Sequence, residues 1–164
     1  MSNNSVFIQV AGPDPDGHKT TPLLPELDLD VRGFDVVEVG VRELVKVLWG
    51  LGYRTVCSCA GHTKGLEPYP WVVIPMGSAS ISNPLEKLAL AVARFNVSLG
   101  KNGSLPEALK TWVLAPHCHI GGLLIYLQPL DTNVVRSPQR ISELRQSSEK
   151  LASFIKNECN DIFT

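Results

Sequence analysis

An α+β fold in a single domain follows from three observations on this 164-residue chain. Apolar residues at steps of three and four alternate with short β-branched and aromatic runs, so helical and strand periods both recur. The runs order as strand, Pro-rich stretch, helix, two strands, helix, two strands, helix, which sets strands in pairs rather than singly between helices. A 44% hydrophobic and 19% charged composition is that of an ordinary globular domain, and the length suffices for one core. These observations predict a mixed sheet of about five strands packed against three helices, with residues 1–164 as one unit.

The elements follow in order. Val6 to Val10 is a β-type run ended by Gly12-Pro13-Asp14-Pro15. Residues 12–34 carry four prolines and no steady period, which predicts an extended arm. Asp35 with Glu38 three residues on has the form of an N-cap and its capping acid. Val37, Val41, Leu44, Val45, Leu48 and Trp49 then form a helical face, stopped by Gly50 and Gly52. Tyr53–Cys57 and Trp71–Ile74 read as strands joined by a loop over 58–70.

Asn83-Pro84 supplies a cap and a first-turn proline for a helix through Leu85, Leu88, Val92, Phe95 and Leu99, ended by Gly100. Thr111–Leu114 and Leu123–Gln128 read as strands connected by Pro116–Gly122. A last helix begins near Ser137-Pro138 and carries Ile141, Leu144, Leu151, Phe154, Ile155 and Ile162, with Ser148 interrupting its seam.

Charge and cysteine usage exclude several classes. A formal net charge of −1 gives no electrostatic reason to expect nucleic acid or an anionic membrane as partner. No apolar run reaches membrane-spanning length, and Met1-Ser2-Asn3-Asn4-Ser5 lacks a secretory profile. The expected compartment is therefore the cytoplasm. The four cysteines, at 57, 59, 118 and 159, are too irregular for a disulfide framework and read as core filler, metal ligand or reactive thiol. No dinucleotide fingerprint, phosphate loop or nucleophile elbow is present.

Chemistry-bearing residues concentrate in two segments. The first is Cys57-Ser58-Cys59-Ala60-Gly61-His62, where a Cys-x-x-His spacing forms half of a zinc site. Gly61 eases the backbone between the two donors, and Cys57, opposite in parity to Ser58, belongs in the core. The second is His117-Cys118-His119, two imidazoles at strand spacing that leave one face if the strand extends that far. Taken alone, either segment also fits a plain turn with a packed thiol or solvated histidines. Taken together, Cys59, His62, His117 and His119 predict one composite site for a metal or a small polar ligand, and as a metal centre it would be a Cys/His₃ set suited to zinc. Ser58, Gly61 and Tyr69 would line the ligand pocket beside it. With one ligand position left open, such a centre supports metal-assisted hydrolysis of a small-molecule ligand. A Cys59–histidine nucleophile pair is the weaker reading, because the sequence marks no third orienting group.

The segment from Gly52-Tyr53-Arg54-Thr55 through Ser58-Cys59, Gly61-His62 and Pro68-Tyr69 resembles small bacterial and phage proteins of unknown function. They share a Gly-aromatic-x-Thr, Ser-Cys-x-Gly-His and Pro-Tyr pattern. A looser likeness is to the tRNA wybutosine-synthesis methyltransferase family, whose Thr-x-Ser-Ser-Cys-Ser-Gly-Arg segment is matched at Thr55, Ser58, Cys59 and Gly61. His62 stands where that family has arginine, and Cys57 where it has the first serine. That resemblance implies an S-adenosylmethionine-dependent, methyltransferase-like protein as the alternative function. A third alternative is a non-catalytic binding or assembly module, with the arm docking on a second subunit of a homodimer.

Overall fold

The structure, a computed structural model, describes residues 37–65, 67–76, 85–100, 110–119 and 122–162. Within them the order is α1 (Val39–Gly50), β1 (Cys57–Cys59), β2 (Trp71–Pro75), α2 (Leu85–Leu99), β3 (Trp112–His119), β4 (Gly122–Pro129) and α3 (Pro138–Ile162). Three helices and a four-stranded sheet make an α+β domain. The expected strand at Val6–Val10, the 12–34 arm, and the caps at Asp35 and Asn83-Pro84 lie outside the described residues.

Among the described residues the sheet is antiparallel throughout, in the order β1-β2-β4-β3. Antiparallel neighbours need no crossover helix, so β1 leads directly to β2 and β3 directly to β4. Among the described residues there are four strands rather than five. Two boundaries also move. The first strand begins at Cys57, where it was expected to end, so Cys59 closes a strand instead of opening a turn. The hairpin strands run through Pro116–His119, expected as a connection, with His117 opposite Leu124 and His119 opposite Gly122. Pro116 is tolerated because β3 is an edge strand, where a missing N–H need not break a ladder.

The register sorts side chains onto two faces. Val72, Ile74, Ile125, Leu127 and Trp112 join Leu44, Leu48, Leu88, Val92, Phe95, Leu151 and Ile155 of the helices in the main core. Cys57, Cys59, Trp71, Val73 and Leu124 form a second buried cluster, with Tyr69 and Tyr126 packed against it. Burying a side chain such as Leu or Ile stabilises by about 1.5–3 kcal/mol, so the larger cluster dominates the energetics. The fold between layers is pinned by polar clamps. Asn96 of α2 both accepts from the Trp112 N–H (2.9 Å) and donates to its carbonyl (2.8 Å), and the Trp112 indole donates to Ser147 Oγ of α3 (3.0 Å).

Two helix ends set the approach to the site. At the end of α1, Gly52 adopts φ +80, its N–H bonds to Trp49 O (3.0 Å), and the Tyr53 N–H bonds to Leu48 O (2.8 Å). This is a Schellman stop, which turns the chain sharply towards β1. At the start of α1, Glu38 is the N-cap residue, with φ −56 and ψ 137, and its side chain makes no capping bond. The acid that read as a capping-box partner is therefore free to reach another part of the fold.

Candidate metal centre

Glu38 reaches the end of β1. One carboxylate oxygen, Oε2, accepts the Ala60 N–H, and the other, Oε1, lies 3.2 Å from His62 Nε2. The Cys59 thiol completes the group: one ligand atom each from Glu38, Cys59 and His62 all lie within 4.8 Å of one another. Cys59 and His62 are fully buried, at 0% and 1% exposure, whereas the Glu38 side chain keeps 9%. Solvent therefore meets the cluster on the Glu38 side.

The Cys59–His62 segment takes this shape because every backbone polar group from Ala60 to His62 has a partner. Ala60 N–H goes to Glu38, Gly61 N–H to Cys59 Sγ (3.3 Å), and His62 N–H to Glu67 O (3.0 Å). On the acceptor side, Arg145 of α3 donates from Nε to Ala60 O (3.0 Å) and from its terminal nitrogen to Gly61 O (2.6 Å). Arg136 donates to His62 O (3.4 Å). A buried loop must satisfy these groups or lose about 1–3 kcal/mol for each one left unpaired.

Two glycines make the geometry possible. Gly61 sits at φ +83, and a Cβ there would fall 3.0 Å from the Tyr69 carbonyl carbon. It is needed both for the turn and for the approach of the Tyr69 backbone. Gly40 of α1 lets Arg145 lie flat across the helix, since a Cβ at that position would be 2.8 Å from Arg145 Cγ and 3.0 Å from Ala60 Cβ.

The electrostatics favour a ligand role for Cys59 over a nucleophilic one. Burial above all pushes its thiol up to about 12; Glu38 and Glu67 push it further, and the Gly61 N–H and Arg145 oppose them. At neutral pH the side chain is thus a thiol, and the thiolate is the form that attacks carbonyls. A divalent ion displaces that proton directly. Donor types and spacing also fit a metal. Two tetrahedral zinc ligands with bonds near 2.0 Å stand about 3.3 Å apart. The 3.2 Å between Glu38 Oε1 and His62 Nε2 matches that edge. The Ala60 N–H fixes the second oxygen, as hydrogen bonds to ligating carboxylates commonly do. The Glu38–Cys59–His62 group could hold a metal ion.

The remaining expected residues are placed as follows. His117 does not join this group: it is exposed, on the opposite edge strand, with its ring 4.5 Å from that of Tyr126. Cys59 lies in register with Trp71, while His117 pairs with Leu124, which is near Pro75 at the other end of β2. Three strand spacings and about four residues of rise separate the two, roughly 20 Å. His119 is on the same edge strand, paired with Gly122. The four-residue Cys/His₃ set is thereby corrected to a three-residue set with Glu38 in place of the two histidines.

Ser58 pairs with Val72 of the main-core face, opposite in parity to Cys59, so it does not line this cluster. Gly61 and Tyr69 stay beside it: Tyr69 is half-buried, packs on the Cys59 face, and its hydroxyl pKa is raised chiefly by burial and then by Glu67 and Cys59. Cys57 is buried in the second cluster, as its parity predicts.

Glu38 carried a signal in the sequence, but an ambiguous one. An acid three residues after Asp35 is what a capping box requires, and only the helix start at Val39 releases it. No helix of the described residues is long and apolar enough to cross a membrane. Comparison with protein-family models, with curated proteins and with solved structures gives no match for this chain.

Proposed function

We propose that this protein binds one zinc ion through Glu38 Oε1, Cys59 Sγ and His62 Nε2, and uses it for metal-assisted hydrolysis of a small molecule. The observation that carries the reading is the mutual 4.8 Å approach of three different zinc-type donors in a buried corner. Three protein ligands leave a fourth tetrahedral position for water, the pattern of catalytic rather than structural zinc. Bound there, water has its pKa lowered to about 7 and becomes a nucleophile at neutral pH. The partial exposure of Glu38 supports access to that position, and Tyr69 and Gly61 stand beside it.

The test begins with elemental analysis of protein purified without a His tag, followed by Co²⁺ titration of the chelator-stripped chain. One ion per chain and a thiolate-to-cobalt band are expected, absent in Cys59→Ala and in His62→Ala. Hydrolysis of a panel of simple esters should fall with chelator and return with zinc. A chain that takes up no transition metal, or gives no thiolate band, overturns the reading. Uptake with a chelator-insensitive ester panel overturns the hydrolytic part alone.

A further inference from the structure

We propose, resting on the metal reading above, that Arg145 is a positioning residue for metal capture. From α3 it fixes the two peptides between Cys59 and His62, so that both donors and the hydrogen bond to the ligand sulfur are in place before the ion arrives. Cys59 and His62 are separated by Ala60 and Gly61 alone, and Gly61 sits at φ +83, where glycine moves most freely. Left to itself, so short and loose a link holds two ligands at no fixed separation. Arg145 removes that freedom at both peptides: its Nε donates to Ala60 O (3.0 Å) and a terminal nitrogen donates to Gly61 O (2.6 Å). The planar fork of a guanidinium fixes its N–H directions relative to one another, so two carbonyls bound to it are fixed as well.

Peptide planarity carries the effect to the metal ligand. The Ala60 carbonyl and the Gly61 N–H belong to one trans peptide unit and point in opposite directions, so holding the first aims the second. That N–H donates to Cys59 Sγ (3.3 Å), and the next one, of His62, goes to Glu67 O (3.0 Å). Arg145 therefore acts on Cys59 through the peptide between Ala60 and Gly61. Its stem also lies against α1, since a Cβ on Gly40 would stand 2.8 Å from Arg145 Cγ, and Gly40 is two residues from Glu38. One side chain thus borders both chain segments that supply the three ligands. It does so from a rigid base, because Ile141, one turn before it, and Leu144, next to it, are buried and seat α3 in the domain.

In the experiment, competition with a chelator gives the Co²⁺ affinity of the folded full chain, and the thiolate-to-cobalt band reports on the ligand sulfur. Arg145→Met, which keeps a stem against Gly40 and loses the donors, should bind Co²⁺ about 10- to 100-fold more weakly. Its band should move to longer wavelength, because a thiolate that loses an N–H partner gives up electron density more readily. Arg145→Lys keeps the charge without the fork and should stay weaker than wild type. Arg145→Met with wild-type affinity, or with an unmoved band, overturns this inference alone. A purely structural role would give that result, moving only the urea midpoint of the metal-free chain. Full recovery by lysine would make charge rather than positioning the cause, and also overturns it. Absence of any cobalt band in the wild type overturns the metal reading and this inference with it. If Arg145→Met does not fold, the lysine variant still decides.

Discussion

The corner at the end of β1 and the far end of the β3–β4 hairpin look alike in sequence: each has a cysteine and a histidine within three residues of one another and a glycine within two residues of that histidine. In space they are opposites. The corner is buried, its backbone from Ala60 to His62 is hydrogen-bonded throughout, and the acid at the N-cap position of α1 supplies a third donor. At the hairpin, His117 and Cys118 are exposed and His117 rests on Tyr126. The difference lies in what the surrounding elements contribute. The corner is the meeting place of the α1 start, the β1–β2 loop and α3, whereas the hairpin end is a local pairing of two neighbouring strands.

Metal uptake should separate the two most sharply. Glu38→Ala removes one ligand and the Ala60 N–H acceptor, so Co²⁺ affinity should fall by at least about 100-fold. His117→Ala should leave it unchanged in the same titration. Equal losses in both variants would mean that the hairpin reaches the centre after all.

Thiol chemistry should come next. Peptide mapping after brief alkylation of the unfolded-free native protein should label Cys118 at once. Cys59, protonated and enclosed, should react only through opening of the corner, slower by roughly 10³-fold for an opening free energy near 4 kcal/mol. Comparable rates at Cys59 and Cys118 would show that the corner opens readily.

Glycine substitutions give a smaller contrast. Gly61→Ala meets both a positive φ and the Tyr69 backbone. It should cost about 3 kcal/mol in urea unfolding. Gly122→Ala at the hairpin has a φ of +131 but nothing within 4 Å of the added methyl. That change should cost about 1 kcal/mol, and a reversed order would contradict the packing of the corner.

The remaining effect is on pH. Burial first of all raises Cys57 and Cys59 to about 12 from an ordinary 9.0. Between these values the unfolded chain loses the protons that the folded chain keeps, so metal-free stability is full below pH 9 and declines as pH rises towards 12. The urea midpoint should therefore drop between pH 8.5 and 10.5, a range chosen about the ordinary thiol pKa. Cys57→Ala should flatten the slope. A midpoint independent of pH would mean that these thiols are already ionisable in the fold.

Much of the fold was legible because its signals are local. The α2 seam from Leu85 to Leu99 and the Ser137-Pro138 start of α3 appear as the spacing predicts, with Ser137 Oγ accepting the Arg140 N–H (3.2 Å). Gly52 ends α1 as its position suggests. The strand limits were not legible. Pro116 reads as a breaker unless the strand is known to lie at an edge, and edges are decided by pairing. The candidate site was half legible. The Cys-x-x-His spacing fixes two donors within one turn, but the third comes from a residue 21 positions before Cys59, whose local role is ambiguous.

What the sequence by itself determined is an α+β domain with three amphipathic helices, paired strands, and a Ser-Cys-Ala-Gly-His stretch whose Cys59 and His62 converge. Periodicity, capping and short-range spacing are properties of neighbouring residues, so they are written along the chain. The tertiary structure alone decided that Glu38 and not the His117–His119 pair completes the group, and that Arg145 braces it from α3. Both outcomes depend on which strand lies at which edge and on where α1 begins. Long-range packing sets those features, and no short stretch of sequence encodes them.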